Sequence, residues 1–380
     1  MLRALTAGVA KAGYEVQVVT SMPSYRGKSE GPVYRNESVD GVSIWRAPVI
    51  STKSKSTLLR LINTLVYCVC LFLNIIFRRP DVVTAATFPP VVAAWTASLA
   101  AKVVRAKFVY HMQDIHPEVS KYSGGVLGSG MPFKVLRTLD NQTLRRATAV
   151  VVLSQDMANT LNDRGLGPLP IRIINNFSLQ AENVQQVAEY DKSEDKIRII
   201  FAGNLGRFQN LQLLSAGIAS RFDSYPHLEF MFLGDGELER ELKKTWSDHP
   251  QVIFAPFVPY EIAKGIMSDA DIGVVSLESD IYRVSYPSKM LTYLSLGLPI
   301  LALVESGSAL AGVTTKEGLG EVPDDFTIEA IGEAVDRLVS NRERSDSIES
   351  WFKRYADSDI VFEQWFSVMD SLRESKSAAA

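Results

Sequence analysis

Four short stretches of this 380-residue sequence combine residue types that can do chemistry. Gly203-Asn204-Leu205-Gly206-Arg207 follows the apolar run Ile197 to Ala202 and precedes a helical pattern. Glycines let a backbone approach an anion, a helix N-terminus behind them favours phosphate, and Arg207 adds a bidentate donor. The same residues equally suit a plain strand-to-helix turn. Gly234-Asp235-Gly236-Glu237 has a similar setting, but its carboxylates oppose an anion and read as complements to a helix N-terminus. Tyr286-Pro287-Ser288-Lys289 opens another helix with a proline-serine start and a cation. The densest titratable cluster is His111, Asp114, His116 and Glu118, at the C-terminal end of an apolar run, which suits acid–base work or a structural network. Asp269/Asp271 and Asp357/Asp359 have two-carboxylate spacing but fit helix ends, and four His with two Cys are too few for a zinc site.

The elements that must hold these residues alternate in the α/β manner. Strand patterns at 81–87, 107–112, 149–154 and 171–176 are separated by helical patterns at 89–104, 133–146 and 155–163. A polar stretch, 178–196, has no hydrophobic period and reads as a linker. A second series follows, with strands at 197–203, 228–234, 252–257, 271–277 and 300–304 and helices at 210–222, 238–247, 260–268, 288–295 and 328–339. Amphipathic helices at 348–353 and 360–372 close the chain. Continuous apolar strands alternating with helices imply parallel sheets covered on both faces. The expected domains are 1–177, a linker 178–196, 197–350, and terminal helices 351–380 packing back on the first domain.

The whole chain is 46% hydrophobic and 22% charged with a formal net charge of −3, which suits a globular protein of two domains. A pI near 5.9 gives no reason to expect a nucleic-acid partner. The charge is divided, however: through Phe177 there are 21 Lys and Arg against 10 Asp and Glu, and beyond it 19 against 33. A basic first half suits an anionic surface, though scattered surface charge gives the same count. The two cysteines, Cys68 and Cys70, suggest a reducing compartment. They lie in the apolar run Leu58 to Phe77, which reads as a buried helix, an interfacial helix or a membrane span. Lys53, Lys55, Arg60, Arg78 and Arg79 flank both ends, which opposes a span and suits anionic lipid.

Taken in order, GYEVQVVTSMPSY, RRPDVVTAATFPP, QDIHPE, VVVLSQDMANTL, FAGNLGRFQNL, FLGDGELERELKK, DADIGVVSL and YPSKMLTYLSLGLPIL resemble the family-4 retaining glycosyltransferases of GT-B fold. The likeness spans nearly the whole chain and is to the bacterial branch that builds O-antigen, capsule or exopolysaccharide. It implies two Rossmann-like, doubly wound domains facing a cleft, with a nucleotide-sugar donor, UDP-linked, in the second domain and a polyprenyl-diphosphate-linked saccharide acceptor in the first. On that likeness Gly203, Asn204, Gly206 and Arg207 cradle the donor diphosphate, and Ser288 and Lys289 stabilise the leaving nucleoside diphosphate without a metal. Asp114 orients or deprotonates the acceptor hydroxyl, with His116 as the alternative. Where many members carry a lysine after the phosphate loop this sequence has Gln209, and the family's two glutamates fall on Val284 and Thr292.

The family's usual first strand and glycine-rich loop have no counterpart before the first helix, so the expectation is a first domain without its central strand. The implied place is cytoplasmic, peripheral on the inner face of the cell membrane, with an anionic lipid surface as partner. Two other functions share these residues: a catalytically silent sugar-nucleotide-binding or scaffold subunit, and a GT-B nucleotide-sugar 2-epimerase. The latter wants a His and Glu pair in the second domain, whereas His227 and His249 lie away from the phosphate loops in sequence.

Overall fold

The computed structural model describes residues 1–22, 34–49, 57–122, 126–179, 184–341 and 346–377. Lys53, Lys55, the Pro23–Tyr25 end of the first motif and part of the 178–196 stretch lie outside the described residues. The chain forms two compact units, one of Met1–Leu153, Ala158–Ile174 and Phe362–Ala380, the other of Ser154–Met157 and Asn175–Val361.

The first unit runs α1 (Leu2–Lys11), β1 (Gln17–Ser21), β2 (Asn36–Val39), β3 (Val42–Ala47), α2 (Thr57–Arg78), β4 (Val82–Ala85), α3 (Val92–Val104), β5 (Lys107–His111), α4 (Gly130–Arg146), β6 (Ala149–Val152), α5 (Gln155–Asn162) from Ala158 on, and β7 (Ile171–Ile173). Strands β4-β5-β6-β7 form a parallel sheet, and β1-β3-β2 form a separate one in which β2 and β3 are antiparallel. Edge strands β1 and β4 both line a cavity of about 1170 Å³. Leu5 of α1, Leu71 and Ile75 of α2, and Trp365 and Leu372 near the C-terminus complete its apolar wall. No strand lies between β1 and β4 among the described residues.

Helix α2 carries its apolar residues on opposite faces. Leu71 and Ile75 are buried, whereas Leu58, Leu61, Leu65, Val69, Leu73 and Phe77 are exposed, Leu65 at 66% and Phe77 at 78%. Spacings of three and four put the exposed set in one stripe along the helix. The helix is therefore neither a wholly buried core helix nor polar on its open side.

The second unit runs β8 (Ile197–Ala202), α6 (Leu211–Ala219), β9 (Leu228–Leu233), α7 (Glu239–Trp246), β10 (Val252–Ala255), α8 (Tyr260–Ser268), β11 (Ile272–Ser276), α9 (Lys289–Ser295), β12 (Ile300–Leu303), α10 (Ala309–Lys316), β13 (Gly320–Glu321), α11 (Ile328–Ser340) and α12 (Asp346–Tyr355). Helix α13 (Ser358–Ser377) begins here and passes into the first unit at Phe362. The six strands are parallel in the order β10-β9-β8-β11-β12-β13. Being covered on both faces, they read as continuous apolar runs. Arg198 and Glu229, directly opposed in β8 and β9, are a charged exception within those two strands and pair at 2.5 Å. Strand order reverses between β8 and β11, and the crevice outside the carboxyl ends at such a point is where open α/β sheets bind ligands.

Candidate functional sites in the two units

In the second unit the turn after β8 stands at that reversal. Gly203 has φ 132° and Gly234, after β9, has φ 139°, both in the region that favours glycine. The two turns press together: a Cβ on Gly234 would lie 2.1 Å from the Gly203 carbonyl oxygen, and one on Gly236 2.4 Å from that of Leu205. The pair Gly234 and Gly236, read from sequence as a helix start, is thus also the packing partner of the phosphate-type turn. Several amides of that turn are already engaged. Gly203 N–H donates to Leu233 O, Leu205 N–H to Asp235 O (both 2.8 Å), and Gly206 N–H to Gln209 Oε1 at 3.0 Å. The turn therefore offers a close-approach backbone surface more than a ring of open amides.

Lys289 reaches this surface from α9. Its Nζ lies 3.5 Å from where a Gly203 Cβ would stand and 3.5 Å from the Phe201 ring centroid. The residue is half-buried overall, but its Nζ is wholly buried and has no hydrogen-bond partner. Burial without a counter-charge holds the amine down at about 7. Helix α9 is fixed in place by Tyr293, one turn after Lys289, whose buried hydroxyl accepts from Ala202 N–H at 2.8 Å. The approach of that ring needs a glycine in β11, because a Cβ on Gly273 would lie 2.3 Å from it. Tyr293, Phe201 and Gly273 carry no site signal of their own in the sequence. The i, i+4 spacing of Lys289 and Tyr293 in the motif is the signal that could have found the first of them.

The remaining expected donor residues are placed unevenly. Asn204 and Gln209 close around Gly206, a Cβ on which would lie 2.4 Å from Asn204 Nδ2. Arg207 is exposed and pairs with Glu237 rather than reaching toward Lys289. Ser288 precedes α9 without a side-chain cap bond, and Thr292 bonds with Tyr260 on α8. Val284, at one glutamate position, is buried in the core.

In the first unit the cluster after β5 separates into parts. His111 is buried, bonds through Nε2 to Gln113 Nε2 at 2.7 Å and stands edge-on to Trp365 at 4.8 Å. Burial holds its ring down at about 4, so it is neutral at pH 7. Glu118 is taken up by Arg164. Asp114 is half-buried, and His116 is buried with two ring nitrogens that lack partners. Burial lowers the His116 pKa, with Asp114 and Glu118 opposing, so the ring rests neutral with one nitrogen able to accept a proton. Thr87 Oγ1 is likewise buried and unpartnered, and the neighbouring Phe88, 71% exposed, sets its ring 6.4 Å from that of His116.

Residues 1–176 match the family model described as a glycosyl transferase 4-like domain. The chain is 24% identical over 382 residues to a protein of Escherichia coli K12 named for colanic acid biosynthesis glycosyl transfer, WcaI, covering 94% of this chain and 92% of that one. Sucrose-phosphate synthase of Thermosynechococcus elongatus superposes with a TM-score of 0.74 at 14% identity, over 100% of this chain and 93% of its own. The Anabaena protein HepE, solved in complex with UDP-glucose, does so with a TM-score of 0.62 at 14% identity, over 87% of each chain. The structural likenesses establish the fold, and the family match covers the first 176 residues. The chain has the GT-B fold, and over residues 1–176 it matches the glycosyl transferase 4-like domain.

Proposed function

We propose that the protein is a retaining glycosyltransferase that moves a sugar from a UDP-linked donor to a polyprenyl-diphosphate-linked saccharide at the inner face of the cell membrane. The observation that carries the donor half is Lys289, a buried amine without a counter-ion beside the Cβ-less backbone of Gly203. A diphosphate there gives the amine its missing partner. In the transition state, as the bond from sugar to diphosphate breaks, the growing negative charge is stabilised by an ammonium that is already in place. Lys289 supplies that positive charge, so the reading includes no metal ion, and transfer undiminished by chelator is expected. Asn204 and Gln209 shape the turn, Ser288 and Thr292 flank the lysine, and Arg207 is released from Glu237 if it joins the diphosphate.

On the acceptor side Asp114 orients the attacking hydroxyl and takes its proton, with His116 as the neutral acceptor beside it. The exposed apolar stripe of α2, with Arg60, Arg78 and Arg79 on the same helix and its end, supports docking on anionic lipid. Apolar insertion and charge attraction are each weak and together give stable docking.

A catalytically silent binding subunit is favoured by one observation, the replacement of the two family glutamates by Val284 and Thr292. Calorimetry with UDP-sugars, followed by product analysis with a membrane lipid extract, separates the two. Binding with transfer supports the enzyme; binding without turnover supports the silent subunit.

A further inference from the structure

Arg164 follows α5, and its side chain is 1% exposed. Its Nε donates to Glu118 Oε1 (3.1 Å), Nη2 to Glu118 Oε2 (2.7 Å) and to the His116 carbonyl (3.2 Å), and Nη1 to Asp140 Oδ2 (2.5 Å) and Asn141 Oδ1 (3.1 Å). A guanidinium has five N–H donors, so its capacity is filled. Asp140 is wholly buried and also accepts from Tyr110 Oη at 2.7 Å, and Arg137 Nε lies 3.6 Å from Glu118 Oε1.

A buried ion-pair group of this kind adds little net stability over well-packed apolar residues, because two carboxylates and a guanidinium leave water to form it. What it does here is geometric. Three of its five bonds go to the turn 112–118, and the other two tie that turn to α4. The turn in question holds Asp114 and the unpartnered imidazole of His116.

Resting on the acceptor role given above to that turn, we propose that Arg164 is a positioning residue: it fixes the backbone from His116 to Glu118 so that His116 and Asp114 meet an acceptor hydroxyl in one geometry. Lysine keeps the charge but has three donors around a point and cannot hold both Glu118 oxygens and the His116 carbonyl at once.

The test follows the His116 imidazole through a pH titration by NMR in the full-length protein, assigned with His116→Gln, beside steady-state kinetics. Burial holds His116 below the usual range in the wild type, against Asp114 and Glu118, the two charged groups acting on it. In Arg164→Lys its midpoint should rise toward the ordinary value of about 6.5. In Asn141→Ala, which removes an Arg164 partner on α4 only, the midpoint should stay. Arg164→Lys should lower kcat by about tenfold or more with donor KM within about twofold, the pattern of misplaced reacting groups. A midpoint that does not move in Arg164→Lys, or a kcat that holds when the midpoint moves, overturns the proposal. If Arg164→Lys does not fold, Glu118→Asp, which keeps the carboxylate charge acting on His116 and shortens its reach to Arg164, takes its place with the same expected and contrary results. Failure of the wild type to transfer sugar counts against the acceptor reading, and the titration still decides whether Arg164 fixes the turn.

Discussion

Lys289 carries most of the chemical reading at the scale of single residues. A buried, unpaired amine beside a glycine turn costs stability in the empty protein and repays it when an anion binds. Its pKa, down at about 7 from the usual 10.5, fixes the sign of two effects. Near pH 7 the amine is partly neutral, so binding a diphosphate should draw in a proton. Calorimetry of UDP binding in buffers of different ionisation enthalpy should show uptake that disappears in Lys289→Met; uptake unchanged by the substitution contradicts the assignment. Because the folded pKa lies below the unfolded one, the unfolded state binds more protons between about pH 7 and 10.5, and stability contributed at this site rises with pH over that window. Lys289→Met should accordingly melt above wild type at pH 6, with the gap narrowing by pH 9. Lys289→Ala should weaken UDP by about 1.5–3 kcal/mol, the worth of a charge-assisted bond. Asp114→Asn, in contrast, should leave UDP affinity intact and lower turnover; unchanged turnover removes Asp114 from the acceptor role.

Among the elements, α9 and the two glycine turns set where that lysine stands. Tyr293→Phe deletes the hydroxyl that accepts from Ala202 N–H and leaves a partly buried amide without that acceptor, a loss of about 1 kcal/mol in urea unfolding. It should also weaken UDP, since α9 is released from β8; full UDP affinity in Tyr293→Phe shows that α9 is held by other contacts. Gly234→Ala should be worse still, with a Cβ 2.1 Å from a backbone oxygen that cannot move aside. Much of this architecture was legible in the sequence because strands such as β8, β9 and β11 are buried on both faces and spell continuous apolar runs. Helix α10 was not, since Ala309 to Lys316 is short, small and weakly patterned, and α4 begins at Gly130, three residues before the pattern suggests, because Gly-Met-Pro reads as a break. Arg164 escaped notice for a different reason: its partners lie 23 to 48 positions away, and only the fold brings them together. The pairing of Arg207 with Glu237 was equally invisible, since the spacing of 30 has no local meaning.

For the molecule as a whole, the near-neutral net charge conceals a basic portion through Phe177 and an acidic remainder. The basic portion carries α2, with its apolar stripe open and cations along it and at its C-terminal end. Flotation with vesicles should therefore recover more protein on anionic than on neutral lipid, and the excess should fall as salt is raised. Leu65→Glu, in the middle of the stripe, should abolish recovery on both; equal recovery by the variant would remove α2 from the lipid surface. The first unit's divided sheet and its cavity of about 1170 Å³ lie beside β4, away from the charge-bearing turn of the second unit in sequence and chemistry alike. Sugar moved from a UDP-sugar to a lipid-linked acceptor is read by following labelled sugar from UDP-sugar into the solvent-extractable lipid of membranes. Label should enter the lipid fraction with chelator present and be lost in Lys289→Ala; UDP-sugar bound but never transferred, or converted to another UDP-sugar without acceptor, overturns the assignment.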